Sequence, residues 1–277
     1  MFDIIKSVIL GIIEGITEWL PISSTGHLIL ADEFLKLGTS DEFKEMFEVV
    51  IQLGAILAVV VIFWNKLWPF TTKENGYIKK KSISLWSKVI VACLPAAVIG
   101  ILLDDWINEK FFNYKTVAAT LIIYGVLFLV VEAINKNREP KTTCLKGLSY
   151  KTALLIGAFQ VLSLIPGTSR SGATILGAML IGVSRTVSAE FSFYLAVPVM
   201  FGASLLKIVK YIAEVGFNIG GLETVILAVG MITAFIVSII VIKFLMGYIK
   251  KKDFTFFGWY RIALGLIVLL YFGIIAK

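Results

Sequence analysis

The stretch that decides the fold is Gly11-Ile-Ile-Glu-Gly-Ile-Thr-Glu-Trp-Leu-Pro-Ile-Ser-Ser-Thr-Gly-His27. Glu14 and Glu18 are four residues apart, so they share one face of a helix. Pro21 ends that helix, because proline fixes φ and disfavours helical geometry in the residue before it. The run Ser23-Ser24-Thr25 then supplies side chains that cap a new helix. A break of this kind in an apolar segment is costly unless it lines a cavity, so the stretch predicts a site.

A second stretch repeats this order of residues: Gly157-Ala-Phe-Gln-Val-Leu-Ser-Leu-Ile-Pro-Gly-Thr-Ser-Arg-Ser-Gly172. The matched pairs are Gly11 with Gly157, Glu14 with Gln160, and Pro21 with Pro166, the last after one deleted residue. The Ser/Thr-rich residues after each proline correspond loosely. Two unrelated breaks would be the simpler explanation, since Gly and Pro are common in membrane helices. The shared order favours a duplication, with repeat 1 at about 1–134 and repeat 2 at about 150–277.

Composition places the whole chain in a membrane. The 277 residues are 58% hydrophobic and 16% charged, with a mean hydropathy of +0.90, which excludes an ordinary soluble domain. The net charge of +7 could suggest nucleic acid as a partner. The charges are confined to a few loops, however, so we expect them to set membrane orientation and expect no nucleic acid to bind.

Apolar segments of about 20 residues, the length needed to cross the hydrocarbon core, predict six spanning helices. We place them at about 47–64, 89–103, 116–134, 188–208, 222–246 and 258–276. Two further segments, at about 2–37 and 152–183, contain the breaks and predict re-entrant helical hairpins. Their tips lie at Pro21–Ser24 and Pro166–Arg170. The predicted fold is therefore an all-α polytopic membrane protein, with six transmembrane helices and two re-entrant hairpins in a single integral membrane domain over 1–277.

The charges of the loops test this layout. If both hairpins return to the face they entered, loops 65–88, 135–151 and 247–261 share one side of the membrane, and all three are basic. The first holds Lys66, Lys73, Lys79, Lys80, Lys81 and Lys88 against Glu74, and the last takes in Arg261. The loops 38–46, 104–115 and 209–221 fall on the other side. The positive-inside rule places the basic side in the cytoplasm. The first hairpin then enters from outside and the second from inside, which makes the duplication an inverted repeat.

The two tips predict an anion site near the middle of the membrane. Each tip leads into a helix N-terminus, whose free N–H groups and positive dipole end attract phosphate. Arg170 adds a fork of donors suited to phosphate oxygens. Glu14 and Glu18 could together hold a divalent cation, or one could accept a proton. Ser24 and His27, at i and i+3, form a candidate nucleophile and base.

Each of these side chains also has a structural interpretation. Glu14 and Glu18 could form an ion pair with Arg170 or face a water-filled vestibule. One of the serines is expected to cap a helix, and a lone histidine is more often structural than catalytic. An ionisable cluster at membrane depth nevertheless favours function, because burying it in lipid is costly.

At the level of whole motifs, Glu14–His27 and Pro166–Gly172 closely resemble the two signatures of the bacterial undecaprenyl-diphosphate phosphatases, the bacitracin-resistance family. The likeness extends through Phe47–Ala58 and Ala189–Ala203 and covers essentially the whole chain. It implies a multi-pass enzyme of the bacterial cytoplasmic membrane, with an active site facing the extracytoplasmic side. The implied reaction converts undecaprenyl diphosphate, an isoprenoid diphosphate lipid, into undecaprenyl phosphate, the carrier for cell-wall synthesis.

The resemblance also implies roles for individual residues and a cofactor. The catalytic set is Ser24, His27, Glu18 and Arg170; the phosphate contacts are Ser23, Thr25, Thr168 and Ser169; the metal ligands are Glu14 and Glu18. The implied cofactor is a divalent cation, Mg²⁺ or Ca²⁺. Besides the lipid substrate and membrane lipids, a homodimer is left open as a partner.

A transporter is the alternative from another functional class. Inverted repeats with helices broken at the midplane also build secondary transporters, so the chain could translocate an anionic lipid or a small anion. A transporter needs the anion site but neither a nucleophile nor a base. The pairing of Ser24 with a candidate base therefore favours the enzyme.

Overall fold

The structure, a computed structural model, describes residues 2–70, 78–216 and 219–275. In these ranges all regular structure is helical, apart from two isolated β-bridges. The helices are α1 Phe2–Thr17, α2 Ser24–Phe34, α3 Asp41–Ile62, α4 Trp64–Leu67, α5 Lys80–Phe111, α6 Tyr114–Asn135, α7 Tyr150–Val161, α8 Arg170–Leu180, α9 Arg185–Val215, α10 Gly221–Tyr248 and α11 Thr255–Leu270. The last continues as a π-helical turn to Ile275.

Six of these helices are long and apolar enough to cross a membrane: α3, α5 over Lys80–Leu103, α6, α9, α10, and α11 with its π-helical turn. The prediction of an all-α polytopic membrane protein with six transmembrane helices is thereby confirmed. The apolar side chains that remain exposed on these helices, such as Ile101 and Ile240, fit contact with lipid.

Several predicted helix ends are wrong in the same direction. The predicted loops at 65–88 and 104–115 are partly helical, because α5 already begins at Lys80 and continues to Phe111. Lysine and glutamate are good helix formers in water, so a run of charge marks the edge of the hydrocarbon core rather than the end of the helix. Lys73 and Glu74 lie outside the described residues, as do the side chains of Asp104 and Asp105.

The helices of the two hairpins are shorter than a span, and each hairpin packs against the opposite half of the chain. Helix α1 packs on α10, and α7 packs on α5. Glycine permits both contacts: a Cβ on Gly11 would lie 2.7 Å from the Gly230 carbonyl oxygen, and one on Gly157 would lie 2.1 Å from the Ala92 carbonyl oxygen. The two glycines that open the repeated stretches therefore have the same structural role.

The N-caps of α2 and α8 extend this correspondence. Ser23 and Ser169 are the only non-glycine residues with positive φ in the described chain, at 75° and 70°. The Oγ of Ser23 accepts a hydrogen bond of 3.2 Å from the Gly26 N–H, and the Oγ of Ser169 accepts one of the same length from the Gly172 N–H. Ser24 and Arg170, the residues directly after these caps, thus occupy equivalent positions. This pairing aligns the Ser/Thr-rich residues that the sequence matched only loosely. These contacts fit a duplication; insertion of the hairpins from opposite faces stays a prediction.

Buried aromatic side chains lie on α3 and α9, two helices that pack against each other. Phe47 of α3 and Phe191 and Phe193 of α9 are fully buried. Trp19, in the turn after α1, packs edge-on against Phe193 with 5.3 Å between ring centroids. The first tip therefore packs against α9 through Trp19.

Candidate active site

The two hairpin tips meet at Glu18. One carboxylate oxygen, Oε1, accepts hydrogen bonds from Arg170 Nε at 3.2 Å and from Nη2 at 3.0 Å. The remaining Arg170 nitrogen, Nη1, donates to the Ser192 carbonyl oxygen at 2.7 Å. The Glu18 and Arg170 side chains are 8% and 9% exposed. Arg170 and Glu18 therefore form an ion pair that is largely buried and has two hydrogen bonds.

Glu18 also binds the predicted nucleophile. Its second oxygen, Oε2, accepts a hydrogen bond of 3.3 Å from Ser24 Oγ. Ser24 is the first residue of α2, so its hydroxyl lies beside the helix N-terminus. Across the gap, Ser171 Oγ donates to the Glu18 backbone carbonyl oxygen at 3.1 Å. Sequence reasoning did not assign Ser171 a role, although it lies inside the second motif.

His27 makes different contacts from those expected. Its Nδ1 lies 2.7 Å from the Ser23 carbonyl oxygen, and its Nε2 lies 2.8 Å from the Tyr260 hydroxyl oxygen. The His27 ring also stacks on the Tyr260 ring, with 5.7 Å between centroids. Ser24 and His27 share no hydrogen bond. Of the two candidate bases for Ser24, the geometry favours Glu18, and His27 takes a supporting position.

The predicted phosphate contacts divide into two pairs. Ser23 and Ser169 use their hydroxyls to cap α2 and α8. Thr25, in the first turn of α2, is partly exposed, and the buried Thr168 hydroxyl has no hydrogen-bond partner. The caps leave other first-turn N–H groups free at the start of both helices, and the first residue of each helix, Ser24 or Arg170, bonds to Glu18. That arrangement, with Arg170, suits an anion with several oxygens.

Glu14 is the polar group least satisfied by the protein. Its side chain is fully buried one helical turn before Glu18, and neither carboxylate oxygen has a hydrogen-bond partner. Oxygen donors of this kind suit a hard divalent cation. The described residues hold no cluster of three or more His, Cys, Asp or Glu side chains that could bind a metal alone. A cation at Glu14 and Glu18 would therefore need substrate phosphate oxygens to complete its coordination.

Sequence reasoning missed two residues of α11 that reach the site. Arg261 was assigned to the loop 247–261, but α11 begins at Thr255 and Arg261 is fully buried within it. That prediction is wrong, because a charge near the end of an apolar run was taken as a loop residue. Tyr260 carried no signal at all. The overlap of Arg261 with the predicted span 258–276 was the one indication available.

Comparison with known proteins gives one matching family model and several relatives that share one name. The family model for "Bacitracin resistance protein BacA" matches residues 7–267. A protein of Acetivibrio thermocellus named undecaprenyl-diphosphatase is 64% identical over 272 residues, which cover 98% of each chain. Proteins of the same name from Enterococcus faecalis and Desulfitobacterium hafniense are 63% and 61% identical, over 96% and 99% of this chain and 96% and 97% of theirs.

Proposed function

The chain belongs to the bacitracin resistance protein BacA family, and we propose that its two hairpin tips form the active site of a lipid diphosphate phosphatase. The predicted family is confirmed. The enzyme hydrolyses undecaprenyl diphosphate to undecaprenyl phosphate and inorganic phosphate, which recycles the lipid carrier of cell-wall synthesis and underlies resistance to bacitracin. It is a multi-pass protein of bacterial membranes, and its substrate is a membrane lipid.

One observation carries the assignment of the site: Glu18 links Ser24 of one tip to Arg170 of the other. In the proposed step, Ser24 Oγ attacks the terminal phosphorus and Glu18 accepts its proton. The bond from phosphorus to the bridging oxygen breaks, and undecaprenyl phosphate leaves. Water then hydrolyses the phosphoserine, which releases inorganic phosphate and restores Ser24. Direct attack by water, with Ser24 as a phosphate ligand, is the alternative.

The groups around Ser24 and Glu18 would stabilise the negative charge of the transition state. Arg170 and the N-termini of α2 and α8 face the oxygens that gain negative charge in the transition state. Thr25 and Thr168 have hydroxyls available to bind phosphate, whereas Ser23 and Ser169 shape the helix ends. A divalent cation held by Glu14 and Glu18 would neutralise the diphosphate. Magnesium or calcium fits the oxygen-only donor set.

The surroundings suit a substrate with a polar head and a long apolar tail. The charged centre lies between hairpins that are shorter than a span, and the surrounding helices expose apolar side chains to lipid. We place the catalytic centre in one integral membrane domain over 1–277, with the first hairpin entering from the extracytoplasmic side. The asymmetry of the basic loops supports this orientation. A homodimer stays a prediction.

The decisive experiment asks whether Ser24 becomes phosphorylated. Purified protein in detergent is mixed with a prenyl diphosphate carrying labelled terminal phosphate, and the reaction is quenched within one turnover. We expect label on Ser24 and none in Ser24→Ala. Ser204→Ala is the matched control, because Ser204 is a buried serine whose hydroxyl bonds to the Val49 carbonyl oxygen and not to Glu18. Phosphate release without labelled protein would favour direct attack by water.

The same assay separates hydrolysis from transport. Translocation across a bilayer cannot occur in detergent, so release of inorganic phosphate there requires a hydrolytic site. Wild-type protein that binds the lipid but releases no phosphate, with or without Mg²⁺ or Ca²⁺, would overturn the proposed active site and favour the transporter.

A further inference from the structure

Arg261 connects both hairpin tips to a helix that belongs to neither of them. Its Nη1 donates a hydrogen bond of 3.1 Å to the Pro21 carbonyl oxygen in the first tip. Its Nη2 donates to the carbonyl oxygens of Gly167 and Thr168 in the second tip, at 2.8 Å and 3.0 Å. One planar guanidinium therefore holds the backbone of both tips in a fixed spacing.

The charge of Arg261 has no acidic partner in the described chain. The side chain is fully buried, and the only aromatic face near it is the Tyr124 ring, 5.5 Å from Cζ. Burying an unpaired cation is costly, and carbonyl dipoles compensate only part of the cost. An anion bound between the tips would supply the missing negative charge. By contrast, Arg170, which is 9% exposed, and Arg185, which is 35% exposed, each bond to a glutamate.

The second motif makes room for this arginine. A Cβ on Gly172 would lie 3.2 Å from Arg261 Nη1, which is closer than ordinary van der Waals contact. The preceding residue on α11, Tyr260, contacts His27 through its hydroxyl. Consecutive residues of α11 therefore reach the second tip and the helix that follows the first.

We propose that Arg261 is a positioning residue: by joining the tip carbonyl oxygens it sets the separation of Ser24 from Arg170, and its charge favours the negative charge that develops on the phosphate between them in the transition state. The inference rests on the proposed function of the tips. Because each of those residues follows its cap directly, a shift of either tip backbone moves a reacting group. A misplacement of about 1 Å can lower turnover by about 100-fold.

The test compares Arg261→Met, which keeps an unbranched side chain without donors, with Arg261→Lys, whose single ammonium can reach fewer carbonyl oxygens. Phosphate release from a prenyl diphosphate is measured in detergent, with kcat and KM determined separately and the folded fraction taken from size exclusion. Arg185→Met is the matched control, since Arg185 pairs with Glu132 away from the tips.

We expect kcat of Arg261→Met to fall by about 100-fold with KM changed less than about threefold, because the lipid tail still binds. Arg261→Lys should recover part of that loss. Arg185→Met should lose stability but keep its kcat per folded molecule. If Arg261→Met does not fold, Gly172→Ala displaces the guanidinium more gently and should also lower kcat.

Two results would overturn the inference while leaving the proposed active site standing. One is a wild-type kcat in folded Arg261→Met, or in Gly172→Ala where Arg261→Met does not fold; the other is a loss confined to KM. If wild-type protein itself releases no phosphate, the proposed function fails first, and the two failures are thereby distinguished.

Discussion

The ion pair between Glu18 and Arg170 can be tested as both a structural and a catalytic element by one double-variant cycle. The variants are Glu18→Gln, Arg170→Met and their combination. Each single variant removes one charge and leaves the other at low exposure without its partner. The combination removes both charges, so it separates the cost of an unpaired charge from the loss of a reacting group.

The structure sets the expected magnitudes. Removing one partner of a buried ion pair costs about 3–5 kcal/mol of unfolding free energy. Glu18→Gln should lie at the low end, because its amide oxygen can still accept one bond from Arg170. The double variant should be more stable than the sum of the single losses by about 1–3 kcal/mol. Turnover should fall by at least about 100-fold in all three, since loss of a general base or of one charge-stabilising donor each costs about that much.

Thermal unfolding in detergent measures the stability terms, and phosphate release from a prenyl diphosphate measures turnover. The outcome that would refute the reasoning is parallel recovery: a double variant that regains both stability and turnover would make the pair purely structural. Glu18→Gln with turnover within threefold of wild type would likewise remove this carboxylate from the chemistry.

Three further perturbations address other parts of the structure. Tyr260→Phe removes one hydrogen bond from His27 and should lower turnover by about fivefold, the equivalent of a net bond of about 1 kcal/mol; unchanged turnover would make the stacking alone sufficient. Gly157→Ala should destabilise the protein strongly in thermal unfolding, since its Cβ would meet backbone at 2.1 Å, whereas Gly202→Ala meets nothing within 4 Å and should be neutral or stabilising. Chelator should abolish phosphate release and added Mg²⁺ or Ca²⁺ should restore it, with Glu14→Gln raising the cation concentration needed for half activity; full activity in chelator would exclude the proposed cation.

The apolar spans could be predicted from sequence because hydropathy responds to the bilayer itself. Helices α6 and α10 were predicted within a few residues of their observed ends, Tyr114–Asn135 and Gly221–Tyr248. The ends of α5 were not, because its sequence turns polar at the membrane surface while its backbone continues as a helix. Composition indicates where a segment leaves the hydrocarbon core. The end of the helix itself depends on local hydrogen bonding.

The site was predictable where local chemistry decides it. A proline followed by serines predicts a break and a cap whatever surrounds them, so Ser24 and Arg170 could be placed at the tips. The partner of each group could not be predicted, because it depends on how the hairpins pack: Ser24 bonds to Glu18 and not to His27. Arg261 bonds to both tips from a helix that is far from them in the sequence, and no residue spacing predicts these contacts.

The equivalent positions of Ser24 and Arg170 show how a duplicated unit would form the proposed asymmetric catalytic site. Each residue follows a serine cap with positive φ, so each projects from the start of its helix in the same backbone setting. In the first copy that position holds the hydroxyl, and in the second it holds the cation. Glu18 bonds to both, and the residue that matches Glu14 in the second copy is the neutral Gln160. Because the acids lie in one hairpin and Arg170 in the other, neither hairpin can complete the proposed site alone, and the proposed reaction requires the two tips to pack together.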